Sequence, residues 1–244
     1  MRLYLLRLGR SADGIPVPGY LIRAPERPTA PEGSDGTAVL VDAGFPEHVY
    51  RAADPAHWAR PTPADWVVNR LAELGLTPGD IGYIIVTHLD PDHAGGLAAF
   101  PGAERVVQRA HLAAARSGRF ARFNQTRALW DDPAARWHEV DGDAELLPGI
   151  ELIASPGHVP GHQSLLVRLP ETGPVLLAAD AVPRRFDPRR PETRPANPFD
   201  LDPAAALDSA LRLYARAERE GARLIAGHDP DQWRDLKTSP DFYA

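Results

Sequence analysis

Mixed α/β is the fold class that the sequence predicts, and three observations predict it. Short apolar runs rich in β-branched residues recur along the chain in two groups. Segments of helical pattern flank both groups, the clearest of them opening at Asp202-Pro203. Several of the apolar runs end in histidine or aspartate, which brings polar side chains from distant parts of the chain to strand ends. Two strand groups with flanking helices suggest four layers, two sheets packed between helical layers.

Taken in order, Arg2 to Leu8 and Val17 to Arg23 read as strands joined by the turn-rich Gly9 to Pro18. Ala24 to Gly36 holds Pro, Glu and Gly with little apolar content and reads as a surface loop. Thr37 to Asp42 is a third strand, closed by the turn Asp42-Ala43-Gly44. Asp42 there is either a turn former or the partner that orients a metal-binding histidine.

Phe45 to Arg60 has no periodicity, and its aromatic residues Tyr50 and Trp58 are candidates to roof a pocket or to form a subunit contact. Thr62-Pro63 opens a helix that carries an apolar stripe of Trp66, Val67, Leu71 and Leu74 and stops at Gly75. Ile81 to Val86 is a buried strand, and the small residues from Ala94 to Phe100 start a helix. Arg105 to Gln108 is a strand and Ala110 to Arg116 a short helix, on which His111 reads as a surface residue.

Arg119 to Trp137 is an aromatic and basic excursion, a candidate lid or dimer surface. Arg136 to Val140, Ile150 to Ala154, Gln163 to Leu169 and Val175 to Ala179 form the second run of strands, and Leu224 to Gly227 is a further strand-like run that His228 ends. Pro183 to Asp200 is irregular. In the helix from Asp202 to Gly221, the residues Leu207, Leu211 and Tyr214 share a face.

The bulk numbers bound the function. A chain of 244 residues buries a good core, and a polar set running from His88 to His228 favours one domain over residues 1–244. A net charge of −6 argues against nucleic acid. With no cysteine there is no thiolate nucleophile and no Cys-type zinc site. Arg7 interrupts the leucines near the N-terminus, so that segment reads as a strand and not as a signal peptide. No apolar stretch approaches membrane-spanning length, and a cytoplasmic protein is the expectation.

The chemistry gathers in Thr87-His88-Leu89-Asp90-Pro91-Asp92-His93-Ala94-Gly95-Gly96, a turn between strand and helix. Two imidazoles and two carboxylates within six residues are costly to place together unless a cation compensates the carboxylates. His158, Asp180 and His228 each follow a later apolar run and supply further ligands. His162 reads as a structural or orienting histidine, and His48, His57 and His138 carry no pattern.

This set, His-x-Asp-x-Asp-His followed by His158, Asp180 and His228, resembles the metallo-β-lactamase superfamily of di-metal hydrolases from about Ile15 to Trp233. The resemblance implies an αβ/βα sandwich with the site at one edge, and two divalent ions that share a hydroxide. It assigns His88, Asp90 and His158 to the first ion, Asp92, His93 and His228 to the second, and Asp180 to a bridge between them. Asp92 and Asp180 are the implied catalytic carboxylates, with Asp92 shuttling the proton.

Within the superfamily, Ile15 to Ile22, Asp141 to Gly149, Pro160 to Leu165 and Gly227 to Gln232 are most similar to the N-acyl-homoserine lactonases. The expected activity is metal-dependent opening of a lactone or cleavage of a related small ester. The alternatives are a thioesterase of glyoxalase II type, a carboxylesterase, or a metal-binding scaffold of low turnover. The implied partner is a small molecule, with a homodimer left open.

Two residues depart from the lactonase pattern. Asp90 stands where histidine is usual, and Pro183 stands where a substrate-contacting tyrosine is usual, a role left to Tyr20, Tyr50 or another aromatic. The extra carboxylate lowers the formal charge of the site by one, which should favour Mn²⁺ or Fe²⁺ over the Zn²⁺ that the family implies.

Overall fold

The computed structural model describes residues 1–24, 38–52 and 54–244. The loop expected over 24–36 and the first residue of the expected strand at Thr37 lie outside the described residues, apart from Ala24, which is buried. Strands β1 (Arg2–Arg10), β2 (Pro16–Arg23), β3 (Ala38–Val41), β4 (Ile81–Ile85), β5 (Glu104–Gln108) and β6 (Arg136–Val140) form a six-stranded sheet in sequential order. Its first three strands pair antiparallel and the rest parallel. Strands β7 (Ala144–Leu147), β8 (Ile150–Ala154), β9 (Gln163–Leu169), β10 (Gly173–Ala179) and β11 (Arg223–Ala226) form the second, in the order β11-β10-β9-β8-β7. Only the β10–β11 pair is parallel.

Strand alternation explains the layers, because successive side chains point to opposite faces. Leu3, Leu5, Ile85 and Val106 of the first sheet meet Leu165, Val167, Val175 and Leu177 of the second in one buried cluster. Leu6, Leu8, Leu40 and Ile84 point the other way and pack against helices. Leu166, Leu176 and Ala178 point outward from the second sheet and meet the long helix α6 (Pro203–Glu220). Both sheets are therefore covered on both faces, which is why their strands read as near-continuous apolar runs. This is the four-layer arrangement that the sequence predicts.

Helices α1 (Glu47–Ala52), α2 (Val67–Ala72), α3 (Pro91–Ala94), α4 (Arg109–Arg116) and α5 (Ala121–Trp130) precede α6, and α7 (Pro230–Asp235) follows it. Several expectations need correction. Arg136–Val140 belongs to the first sheet, as its last strand, and not to the second run. The helix expected from Thr62 to Leu74 is interrupted: Pro63–Asp65 is a single 3₁₀ turn, Trp66 is extended at ψ 130, and α2 starts after it. The Asp65 carboxylate accepts from Thr62 N at 2.9 Å and from Thr62 Oγ1 at 2.7 Å, which satisfies the start of the short turn and not of a long helix.

The helix expected from Ala94 begins instead at Pro91, with only a 3₁₀ turn at Leu97–Ala99. The Arg119–Trp137 excursion contains α5, and the Phe45–Arg60 stretch contains α1. The buried face of α6 is Ala206, Ala210, Leu213 and Ala217, with Leu207, Leu211 and Tyr214 only half-buried beside it. Small residues on that face let the helix lie close to the sheet. Asp202 caps it by accepting from Ala205 N at 3.0 Å, and Gly221, at φ 62, ends it. No helix among the described residues is long and apolar enough to cross a membrane.

Candidate metal centre

Each histidine of the motif set is delivered by a strand end and turned by a specific partner. Strand β4 ends at Ile85 and the chain turns through Thr87 and His88 into α3. Thr87 Oγ1 donates to Asp42 Oδ2 at 2.7 Å, so it accepts from His88 Nδ1 at 3.0 Å. His93 Nδ1 donates to Asp42 Oδ2 at 2.7 Å. His158 Nδ1 donates to Asp200 Oδ1 at 3.0 Å, and His228 Nδ1 to the Pro16 carbonyl at 2.8 Å. All four rings are thereby held with Nε2 turned toward the centre. Asp42 thus takes the orienting role of the two read for it in the sequence.

Asp180 lies between the rings. Its Oδ2 is 3.5 Å from His158 Nε2, while its Oδ1 is 3.1 Å from His228 Nε2 and 3.4 Å from His93 Nε2. Two groups of donor atoms result, His88 with His158 and Asp180, and Asp92 with His93 and His228; within each, the atoms lie within 4.8 Å of one another. His93 Nε2 and Asp180 Oδ1 are buried and make no hydrogen bond. Buried polar atoms left without partners are costly. Convergent nitrogen and carboxylate donors of this kind fit a pair of divalent cations.

The electrostatics are those of buried imidazoles and carboxylates crowded together. Burial holds the His88 pKa down to about 3, with His93 nearby adding to the effect. Burial would also lower His93, but Asp92, Asp180 and Asp42 outweigh it and push its pKa up to about 10. The Asp180 carboxyl sits well below the usual range: burial opposes this, and His228, His93 and His158 prevail. Burial raises the pKa of Asp92 despite His93 and His228.

A pH dependence of metal uptake follows. At pH 7 the cation-free His93 carries a proton that ion binding must displace. Apparent affinity at this group of donors is therefore expected to rise with pH up to the neighbourhood of 10, with protons released on binding. Calorimetry of Zn²⁺ binding in buffers of different ionisation enthalpy measures that release. A pH-independent affinity with no proton released would contradict it.

Asp90 lies beside the first group, its Oδ2 3.1 Å from His88 Nε2 and 3.4 Å from His158 Nε2. Both of its oxygens also pair with the guanidinium of Arg122, which α5 presents. His158 is fixed from behind by a glycine that nothing else could replace. Gly157 has φ +136, and a Cβ there would meet Ala206 N at 2.0 Å, where the loop abuts the first turn of α6. Leu201 N and Asp202 N donate to the His158 and Gly157 carbonyls at 3.0 and 2.9 Å and complete that junction.

His162 is buried and orienting: its Nε2 accepts from Asp180 N at 3.2 Å, and its Nδ1 lies 2.9 Å from Ser155 Oγ. His111, expected at the surface, is fully buried. Its Nε2 accepts from Leu89 N at 2.9 Å and its Nδ1 donates to the Pro160 carbonyl at 2.7 Å, so it joins the two motif loops. Alternation of Leu112 and Ala115 with His111 on α4 is the helical spacing that could have shown it. His48, His57 and His138 belong to neither donor group. Arg122 and Asp200 were missed, because neither lies near the motifs in sequence.

Over this centre opens a cavity of about 900 Å³ with His158, Asp180 and His228 on its floor. Ile15, Trp58, Pro91, Pro183 and Phe199 give it apolar walls. Tyr20 and Tyr50 do not line it. Tyr50 is a core residue whose hydroxyl donates to the Leu8 carbonyl at 3.0 Å, and Tyr20 is fully buried.

Comparison with known proteins places this geometry. The chain is 34% identical over 243 residues to the N-acyl homoserine lactonase AttM of Azorhizobium caulinodans, covering 96% of this chain and 90% of the relative. It is 33% identical over 257 residues to an N-acyl homoserine lactonase of a Bacillus species, covering 99% and 98%. Among solved structures, an N-acyl homoserine lactone hydrolase with N-hexanoyl-L-homoserine bound at its catalytic metal centre superposes with a TM-score of 0.80 at 29% identity, over 99% of this chain and 98% of that one. The model of the metallo-beta-lactamase superfamily matches residues 20–228, and with the donor set and the two mixed sheets in place, this chain belongs to that superfamily.

Proposed function

We propose that the chain is a metal-dependent hydrolase that opens the lactone ring of N-acyl homoserine lactones. The observation that carries this reading is the pair of donor groups meeting at Asp180 on the floor of an apolar-walled cavity. The relatives at about one-third identity, all named for that activity, support the same substrate class.

In this reading His88, Asp90 and His158 hold one divalent ion, Asp92, His93 and His228 the other, and Asp180 serves both. When bound, the ions supply Lewis acidity and lower the pKa of water into the neutral range. The protein's own contribution is to fix the donors: Asp42, Thr87, Asp200 and the Pro16 carbonyl hold the four imidazoles with Nε2 toward the centre. Asp92 lines the cavity, which suits its carboxylate to take a proton and return it to the departing alkoxide oxygen. Trp58 and Phe199, both substantially exposed, flank the cavity and offer an apolar surface to an acyl chain.

The test is proton release from N-hexanoyl and N-decanoyl homoserine lactones, aryl esters and acyl thioesters, with and without chelator. Lactones are expected to be the best substrates, and chelation to lower the rate by about 10²-fold or more, since the ions supply several kcal/mol of charge stabilisation. A preference for the thioesters, or turnover insensitive to chelation, would overturn the reading.

A further inference from the structure

Arg122 pairs with Asp90 at the edge of the first donor group. Histidine at position 90 would be a neutral donor; aspartate adds one negative charge, and Arg122 beside it adds one positive. Counting Arg122, the site regains the formal charge that histidine would give it.

The guanidinium does more than neutralise. It pairs with both oxygens of Asp90, and its Nη2 lies 2.9 Å from His158 Nε2. His158 Nδ1 is committed to Asp200, so Arg122 stands against the Nε2 that faces the centre. Arg122 Nη1 meanwhile donates to the Phe199 carbonyl at 2.6 Å, which anchors the side chain across the cavity from α5. One built-in cation thus occupies the donor atoms that the first metal ion needs. The second group has no equivalent: His93 Nε2 is buried with no hydrogen-bond partner at all.

We propose that Arg122 is the counter-charge of Asp90 and competes with the first metal ion for Asp90 and His158, so that the two ion sites fill unequally. The site of Asp92, His93 and His228 fills first. The site of His88, Asp90 and His158 fills only when the guanidinium swings aside, and Arg122 is a positioning residue that sets its affinity. This inference rests on the di-metal reading above.

Zn²⁺ titration of the chelator-stripped full-length protein against a competing chromophoric chelator tests it without any activity measurement. Wild type is expected to bind two ions in resolved steps. Arg122→Ala and Arg122→Gln are expected to tighten the weaker step by about 10-fold, the lower end of what residues behind metal ligands contribute. Both variants are checked for native circular dichroism, and the glutamine retains a donor for the Phe199 carbonyl. In an Asp90→His background the same substitutions are expected to change that step by less than about threefold, because the charge they release is gone. Two steps that Arg122→Ala and Arg122→Gln leave unchanged or weaken, or an equal gain in the Asp90→His background, would overturn the competition while leaving the metal centre standing. Failure of the stripped wild-type protein to take up Zn²⁺ at all would remove both.

Discussion

Asp180→Asn is expected to lower kcat/KM on homoserine lactones by roughly 10²–10³-fold, about 3–4 kcal/mol of barrier, in the range lost when one member of a buried charge cluster is removed. The reason is position more than charge alone. Asp180 Oδ2 faces His158 and Oδ1 faces His93 and His228, so a single carboxylate serves both donor groups. Asparagine keeps the volume but offers one weak oxygen and an amide that points a donor at imidazole nitrogens. Metal analysis separates cause from consequence: the variant should retain less than two ions per chain under conditions that fill the wild type. Full metal content with full activity would show that Asp180 is not shared.

Asp42→Ala is expected to weaken ion binding at the proposed site of Asp92, His93 and His228 by about 10–100-fold, although Asp42 does not line the cavity. Its carboxylate accepts from Thr87 N at 2.9 Å, Thr87 Oγ1 at 2.7 Å and His93 Nδ1 at 2.7 Å, all in the buried interior. Removing it frees the His93 ring and, through Thr87, the His88 ring. Each abandoned buried donor costs about 1–3 kcal/mol, so a lower melting temperature should accompany the loss. Asp42 also sits at φ 56, where alanine is strained and asparagine is tolerated. Asp42→Asn therefore relieves the backbone part and isolates the hydrogen-bonding part. Equal metal affinity in wild type and Asp42→Ala would refute the orienting role.

The donor set was legible in the sequence because its members follow apolar runs, and strands that run in the same direction, adjacent or not, put such ends on one edge. The two-sheet architecture was legible for a related reason: sheets buried on both faces write themselves as unbroken apolar segments. What stayed hidden depends on distant or weakly patterned residues. Helix α5 buries only Phe123 and Trp130, seven residues apart, and so shows no stripe; its Arg122 meets Asp90 from 32 positions away. Asp200 ends a proline-rich irregular stretch, and only the fold brings it to His158. The strand Ala144–Leu147 lies between turn residues and is short. At Arg136–Val140 the local pattern was right and the sheet wrong, since strand membership is settled by pairing with β5 and not by order along the chain.

Gln163 begins β9, yet its backbone N donates to the Thr87 carbonyl at 3.1 Å and its side-chain Nε2 to the Val86 and Val106 carbonyls at 2.9 and 3.1 Å. That single residue stitches the second sheet to the first directly behind His88. Anchored in this way, Gln163 holds the two sheets at a fixed spacing where the chain leaves β4 for His88, so the donors that each sheet delivers keep their mutual distance.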